Sequence, residues 1–169
     1  MEHQDIYDSE RRLTGKVRRR GTPRKPGEYS LVVCVWVYDG RGHLLLTRRA
    51  PQKSFAGTWE NSGGAAQAGE DSRTAIRREL WEETGIRAGL EEFEYLSTTR
   101  DSSTFYDHYC LKRDVPLERI KLLPGETDDV MWADFATVHR LIESGEMCHV
   151  IAQQFLQEEP QLLKRQTAQ

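Results

Sequence analysis

The sequence predicts an α+β fold in which a mixed β-sheet lies between helices. Three observations carry this expectation. Residues 29–38, YSLVVCVWVY, form a near-continuous β-branched and aromatic run, the pattern of a strand buried on both faces. Strand-like and helix-like segments alternate irregularly and without internal repeat, which suits a mixed sheet better than a regular parallel array. The length of 169 residues, 37% of them hydrophobic and 30% charged, suits one domain with one sizeable core.

The elements follow in order. Residues 1–28 are expected as an extension before the domain. Within it, DIYDSERRLTG reads as a short hairpin, with Ser9 and Glu10 between two strand-like runs. The basic stretch 16–25, KVRRRGTPRK, carries a turn at Gly21 to Pro23 and is either a phosphate-steering patch or a solvated edge. The domain proper spans 29–160. Asp39-Gly40-Arg41-Gly42 turns the first long strand back into HLLLTRRA. A glycine-rich loop covers 51–69, and a helix covers 71–84, with Asp71 or Ser72 as N-cap and Gly85 past its end. Further strands are expected over 92–99 and 104–112, then a loop over 123–129. VMWADF reads as a strand that enters a helix through Asp134; a last helix covers 149–158, and 161–169 is a polar tail.

Bulk properties exclude several functions. Lys and Arg number 24 against 27 Asp and Glu, and a net charge of −3 offers no global attraction for a nucleic acid polymer or a membrane surface. No apolar run approaches the ~18 residues of a membrane span. The polar, acidic start MEHQDIYDSERR is unlike a secretory signal. Cys34, Cys110 and Cys148 are scattered without metal-ligand spacing, and Cys34 and Cys110 sit in apolar strands as buried, reduced thiols. A reducing cytoplasm is the expected compartment.

The helix over 71–84 is poorly arranged for its own stability. With Arg78 set at zero and about 100° per residue, Glu82, Glu79 and Glu83 fall near 40°, 100° and 140°, on one arc. Ile76 and Leu80 flank that arc and mark the face that packs on the sheet. Glu79 and Glu83 are like charges at i,i+4, a cost of ~0.2–0.5 kcal/mol. The charge order is also reversed: Arg73, Arg77 and Arg78 come early, while the acids crowd the end where the macrodipole disfavours anions, at ~0.3–1 kcal/mol each. A divalent cation relieves both penalties. Oxygen-only donors suit hard Mg²⁺, or Mn²⁺ in its place, rather than zinc. Gly63 and Gly64, just upstream, permit close backbone approach, so that a carbonyl there joins the metal's ligands. Glu70 at the helix entrance either braces the loop or holds a second ion.

This segment resembles the Nudix box: Gly, five residues, Glu, seven residues, then Arg-Glu-aliphatic-any-Glu-Glu-any-Gly-aliphatic. The chain supplies Gly64, Glu70, Arg78, Glu79, Leu80, Glu82, Glu83, Gly85 and Ile86 without departure. The resemblance implies an α/β/α sandwich and a Mg²⁺-dependent hydrolase that cleaves the phosphoanhydride bond of a small diphosphate. Glu82 and Glu83 would be metal ligands, Glu79 a ligand or the general base, and Arg78 the residue that orients Glu79. Family members often add a late acidic residue, for which Glu126, Asp128 and Asp129 are candidates, Glu126 preferred. Arg48, Arg49 and Lys53, just before the box, are either a phosphate clamp or surface cations.

Two other readings compete. Residues 45–61, LLTRRAPQKSFAGTWEN, also resemble isopentenyl-diphosphate isomerases, which use a cysteine soon after the Trp-containing strand. Here that stretch reads Trp59-Glu60-Asn61-Ser62-Gly63-Gly64, without cysteine. A non-catalytic ligand sensor of the same fold would tend to lose box acids, and all are present. The substrate itself is not legible: Trp36, Trp59, Tyr106 and His108 either stack on a base or belong to the core. The N-terminal hairpin could pair across a homodimer.

Overall fold

The structure, a computed structural model, describes residues 2–167. Strands β1 (His3–Tyr7) and β2 (Leu13–Arg19) make an antiparallel hairpin that is a two-stranded sheet of its own. The main sheet contains β3 (Ser30–Tyr38), β4 (His43–Arg49), β5 (Trp59–Glu60), β6 (Ser62–Ala65), β7 (Glu94–Arg100), β8 (Thr104–Lys112) and β9 (Thr127–Asp134). Three α-helices accompany it: α1 (Ser72–Thr84), α2 (Phe135–Ser144) and α3 (His149–Thr167).

β3 is the axis of the sheet. It runs parallel to β8 from Ser30 opposite Thr104 to Tyr38 opposite Lys112, and antiparallel to β6, where Cys34 meets Gly63. β4 pairs with β9 along one edge and with β3 and β5 along the other, and β7 closes the far edge against β8. Because side chains alternate along a strand, β3 serves two cores. Val33, Val35 and Val37 pack with Ile76 and Leu80 of α1 and with Phe93 and Tyr109. Trp36 and Tyr38 pack with Leu44, Leu46, Val138, Leu141, Phe155 and Leu162, beneath α2 and α3. Helices therefore cover both faces of a mixed sheet, the layered fold read from the sequence.

The helix ends follow their caps. Asp71 accepts from the Thr74 N–H at 2.7 Å, and Gly85, at φ 73°, sends its N–H to the Trp81 carbonyl at 2.8 Å. Asp134 caps α2 in the same way, accepting from the Thr137 N–H at 2.7 Å. The hairpin is fastened by reciprocal backbone bonds between Tyr7 and Tyr29, 2.8 and 2.9 Å, and by Arg11. Its guanidinium grips Asp107, which is buried under the hairpin turn.

Two expectations need correction. The glycine-rich loop over 51–69 contains β5 and β6. Glycine is there for close approach: a Cβ on Gly63 would stand 2.3 Å from the Val33 carbonyl oxygen. The last helix does not stop at 158 but continues through Pro160 to Thr167, so most of the polar tail is helical. Pro160 removes one internal bond, yet Leu162 is 1% exposed, and Arg165 donates to Glu94 at 2.9 Å. Burial of that turn outweighs the local breaker. All three cysteines are free and buried, and among the described residues no helix is long and apolar enough to cross a membrane.

Candidate active site

A cavity of about 760 Å³ lies between the acidic face of α1 and the start of α3. Gly63, Gly64, Glu79, Glu82 and Glu83 all line it. The packing of Ile76 and Leu80 on the sheet rotates the acidic arc of α1 toward this space. Gly64 is indispensable to that arrangement, since a Cβ there would fall 2.4 Å from the Glu79 carboxyl carbon.

Arg78 organises the acids from outside the cavity. It donates to both oxygens of Glu70, at 2.7 and 2.9 Å, to Glu79 at 2.9 Å, to Glu82 at 3.0 Å and to the Ala65 carbonyl at 3.2 Å. The guanidinium is held firmly charged, by Glu70 first and by Glu79. Of the two roles weighed for Glu70, the geometry supplies the brace. Both its oxygens face Arg78, one also accepts from the Gln67 N–H at 2.8 Å, and the side chain is not among those lining the cavity. Burial opposes its ionisation, but these bonds outweigh burial and its pKa is lowered.

The cavity acids are strained electrostatically. Burial pushes Glu83 well above the ordinary carboxylate range, and the charges of Glu60 and Glu79 push it further, against the Gly63 N–H and the Ser62 hydroxyl. Glu79 is raised by burial despite the pull of Arg78, and Glu60 by burial despite Arg49. Clustered, half-desolvated carboxylates with oxygen-only donors fit a hard divalent cation. Among the described residues, no three His, Cys, Asp or Glu side chains already converge on one point. Glu79 and Glu82 are drawn toward Arg78, so holding a cation requires them to share that contact.

The remaining candidates divide between two places. Arg49 and Lys53 line the cavity, Arg49 paired with Glu60 at 2.6 Å and Lys53 with Glu126. Glu126 also lines it, whereas Asp128 and Asp129 do not. Arg48 does not line the cavity. Its neighbour Arg49 takes the cavity side of the strand, and Arg48 pairs with Asp128 at 2.8 Å and Asp129 at 3.4 Å, over the Trp59 ring. Trp36 is core, at 0% exposure; Tyr106 and His108 line the cavity, and Trp59 does not. Glu60, Asn61 and Gln154, which do not stand out in the sequence, also line it, as does Arg20, alone in the basic stretch 16–25. Glu60 carried a faint signal, an acid among glycines beside a tryptophan. Gln154 carried none, being one polar residue of an amphipathic helix.

The chain matches the NUDIX domain family over residues 28–152. It is 32% identical over 148 residues to an uncharacterized Nudix hydrolase of Listeria monocytogenes, covering 86% of this chain and 88% of that protein. Similarity to the isopentenyl-diphosphate Delta-isomerase of Halorhodospira halophila is 34% over 114 residues, 56% of this chain and 65% of that one. In structure it is similar to DR0079 from Deinococcus radiodurans, with a TM-score of 0.71 and 24% identity over 87% of this chain and 92% of that one. The chain belongs to the NUDIX domain family, and the Listeria relative that it matches along nearly the full length is named as a hydrolase, while the isomerases that match over a similar length, 150 residues, are 25% identical; it is a Nudix hydrolase. Enzymes of this family generally act on nucleoside diphosphate derivatives and use divalent metals such as Mg²⁺ or Mn²⁺.

Proposed function

We propose that this chain is a Mg²⁺-dependent hydrolase of a phosphoanhydride bond, in a nucleoside diphosphate linked to another moiety or in a related organic diphosphate, with Mn²⁺ as a substitute. The observation that carries this reading is the group of acids lining the cavity beside the glycine strand β6, Glu83 buried and Glu60 and Glu79 half-buried, each with its pKa raised. A cation would relieve such a cluster, and a bound Mg²⁺ would supply neutralising charge to the diphosphate. Glu82, Glu83 and a carbonyl of Gly63 or Gly64 are the ligands this proposal assigns.

The chain's own groups do the rest. Arg78 fixes one oxygen of Glu79 and leaves the other for the attacking water, whose proton Glu79 accepts; its raised pKa improves it as a base. Arg49 and Lys53 face the diphosphate and stabilise the charge that spreads over the transferring group. An isomerase would need a reactive thiol in place of the Ser62-Gly63-Gly64 stretch. Cys34, which lines the cavity, is kept protonated by burial, its pKa pushed far up.

The test is a panel of nucleoside diphosphates, nucleotide sugars, dinucleotides and alkyl diphosphates incubated with Mg²⁺ or Mn²⁺. Release of phosphate, pyrophosphate or nucleoside monophosphate is expected for at least one compound. Glu82→Gln and Glu83→Gln should each lose about tenfold or more in turnover while remaining folded. Wild-type rates in either variant, or allylic product from isopentenyl diphosphate as the only reaction, would sink the assignment.

A further inference from the structure

The acids of α1 account for one wall of the cavity; the wall toward α3 is built on a buried hydrogen-bond network. Gln154 of α3 donates its amide nitrogen to the Cys34 sulfur at 3.1 Å and to Glu158 at 3.2 Å. Glu158, 3% exposed, also accepts from the Trp36 indole at 2.8 Å and the Ser97 hydroxyl at 2.9 Å. It meets His108 Nδ1 at 2.7 Å, while His108 Nε2 reaches the Thr99 hydroxyl at 3.1 Å. Both nitrogens of His108 are thereby occupied, and the network is closed on itself.

Asn61 breaks this pattern. It lines the same cavity and is only 3% exposed, yet among the described residues neither its amide nitrogen nor its amide oxygen makes a hydrogen bond of good geometry, the Cys34 thiol offering only a weak contact. Its neighbour Ser62 turns toward Glu83, so alternation along the chain directs Asn61 to the opposite face, beside the Cys34 thiol. A buried amide with neither group well paired is costly, and native structures seldom keep one without use. The primary amide offers a donor and an acceptor side by side in one plane, the geometry that pairs with a complementary planar edge.

We propose that Asn61 is the specificity-determining residue for the part of the substrate beyond the diphosphate, and that it reads a planar donor–acceptor edge of the nucleobase kind. Gln154, fixed through Cys34 and Glu158, backs the same wall. A hydrocarbon moiety in this place would leave the Asn61 amide unpaired, so alkyl diphosphates are selected against. The inference rests on the hydrolase reading only in taking the α1 acids as the diphosphate end.

Equilibrium binding tests it. ADP, CDP, GDP, UDP, inorganic pyrophosphate and isopentenyl diphosphate are titrated into the full chain by calorimetry, with Ca²⁺ replacing Mg²⁺ to suppress turnover. At least one nucleoside diphosphate should bind about tenfold or more tighter than pyrophosphate and isopentenyl diphosphate. Asn61→Leu, of the same branched shape, should reduce that preference to about twofold or less and leave Tm equal or higher, because the orphan amide is gone. Asn61→Ser repeats the comparison should the leucine fail to fold. Isopentenyl diphosphate or pyrophosphate binding as tightly as every nucleoside diphosphate would overturn the proposal, as would a preference that survives these substitutions. A preference that depends on Asn61, in a protein that hydrolyses nothing with Mg²⁺ or Mn²⁺, would instead remove the enzyme reading alone.

Discussion

Two adjacent glycines show how differently the same residue type acts at this site. A Cβ on Gly64 would meet only the carboxyl end of Glu79, a flexible group that can swing aside. Gly64→Ala should therefore keep a melting temperature near that of the wild type while turnover falls by about 10- to 100-fold, since Glu79 loses its position. A Cβ on Gly63 would instead meet backbone, the Val33 carbonyl oxygen and the Cys34 Cα. Gly63→Ala should cost about 1–3 kcal/mol in urea denaturation, because β6 must move away from β3. An equal loss of stability in both variants would contradict this division of roles. The identity of these residues was legible in the sequence, and so was the need for close approach. Which atom each glycine makes room for was not, because β3 and α1 reach the pair from distant parts of the chain.

At the scale of elements, the reversed charge order of α1 resolves into two separate tasks. The early Arg73 is no surface cation: it donates to the Leu90 and Phe93 carbonyls at 2.7 and 2.6 Å and so ties α1 to the following turn. The late acids are held in the cavity by the apolar face behind them. Glu83 has a folded-state pKa above its unfolded value, so the unfolded chain releases this proton first as pH rises. Stability of the metal-free protein should then fall as pH rises from the ordinary carboxylate range toward the raised folded-state pKa. Melting curves in EDTA across that range should show the decline in wild type and a weaker one in Glu83→Gln, and Mg²⁺ should reverse it in wild type. A slope unchanged by the substitution would remove Glu83 as its source. In α3 the extension past Pro160 rests on Leu162, whose truncation to alanine should cost about 2–5 kcal/mol. A value near zero would return residues 161–167 to the status of a tail.

The whole molecule depends on contacts that join its ends to its middle. Arg11, at the tip of the hairpin and with positive φ, reaches Asp107 on β8, 1% exposed and also bonded to the Ser72 and Thr98 hydroxyls. Arg11→Ala would strand that buried carboxylate. The Arg11 side chain keeps 33% of its surface in water, so the expected cost is moderate, about 1–3 kcal/mol by chemical denaturation. Glu2, Gln4 and Arg20 of the hairpin line the cavity, so the same variant should also raise KM. An unchanged KM would mean that the hairpin holds its place by other contacts. The features legible in the residues alone were local and periodic. The long central strand, the capped helix with its acids on one arc, the turn after Asp39 and the Nudix box each follow from residues a few positions apart. Long-range packing sets the rest: that Arg49 and Glu60 line the cavity while Arg48 does not, that Glu126 lines it rather than Asp128 or Asp129, that residues 161–167 are helical, and that Asn61 lacks a well-formed hydrogen bond. Those outcomes turn on which strand face meets which neighbour and on how much surface the meeting buries. Such quantities belong to pairs of residues far apart in the chain, and local propensity carries no information about them.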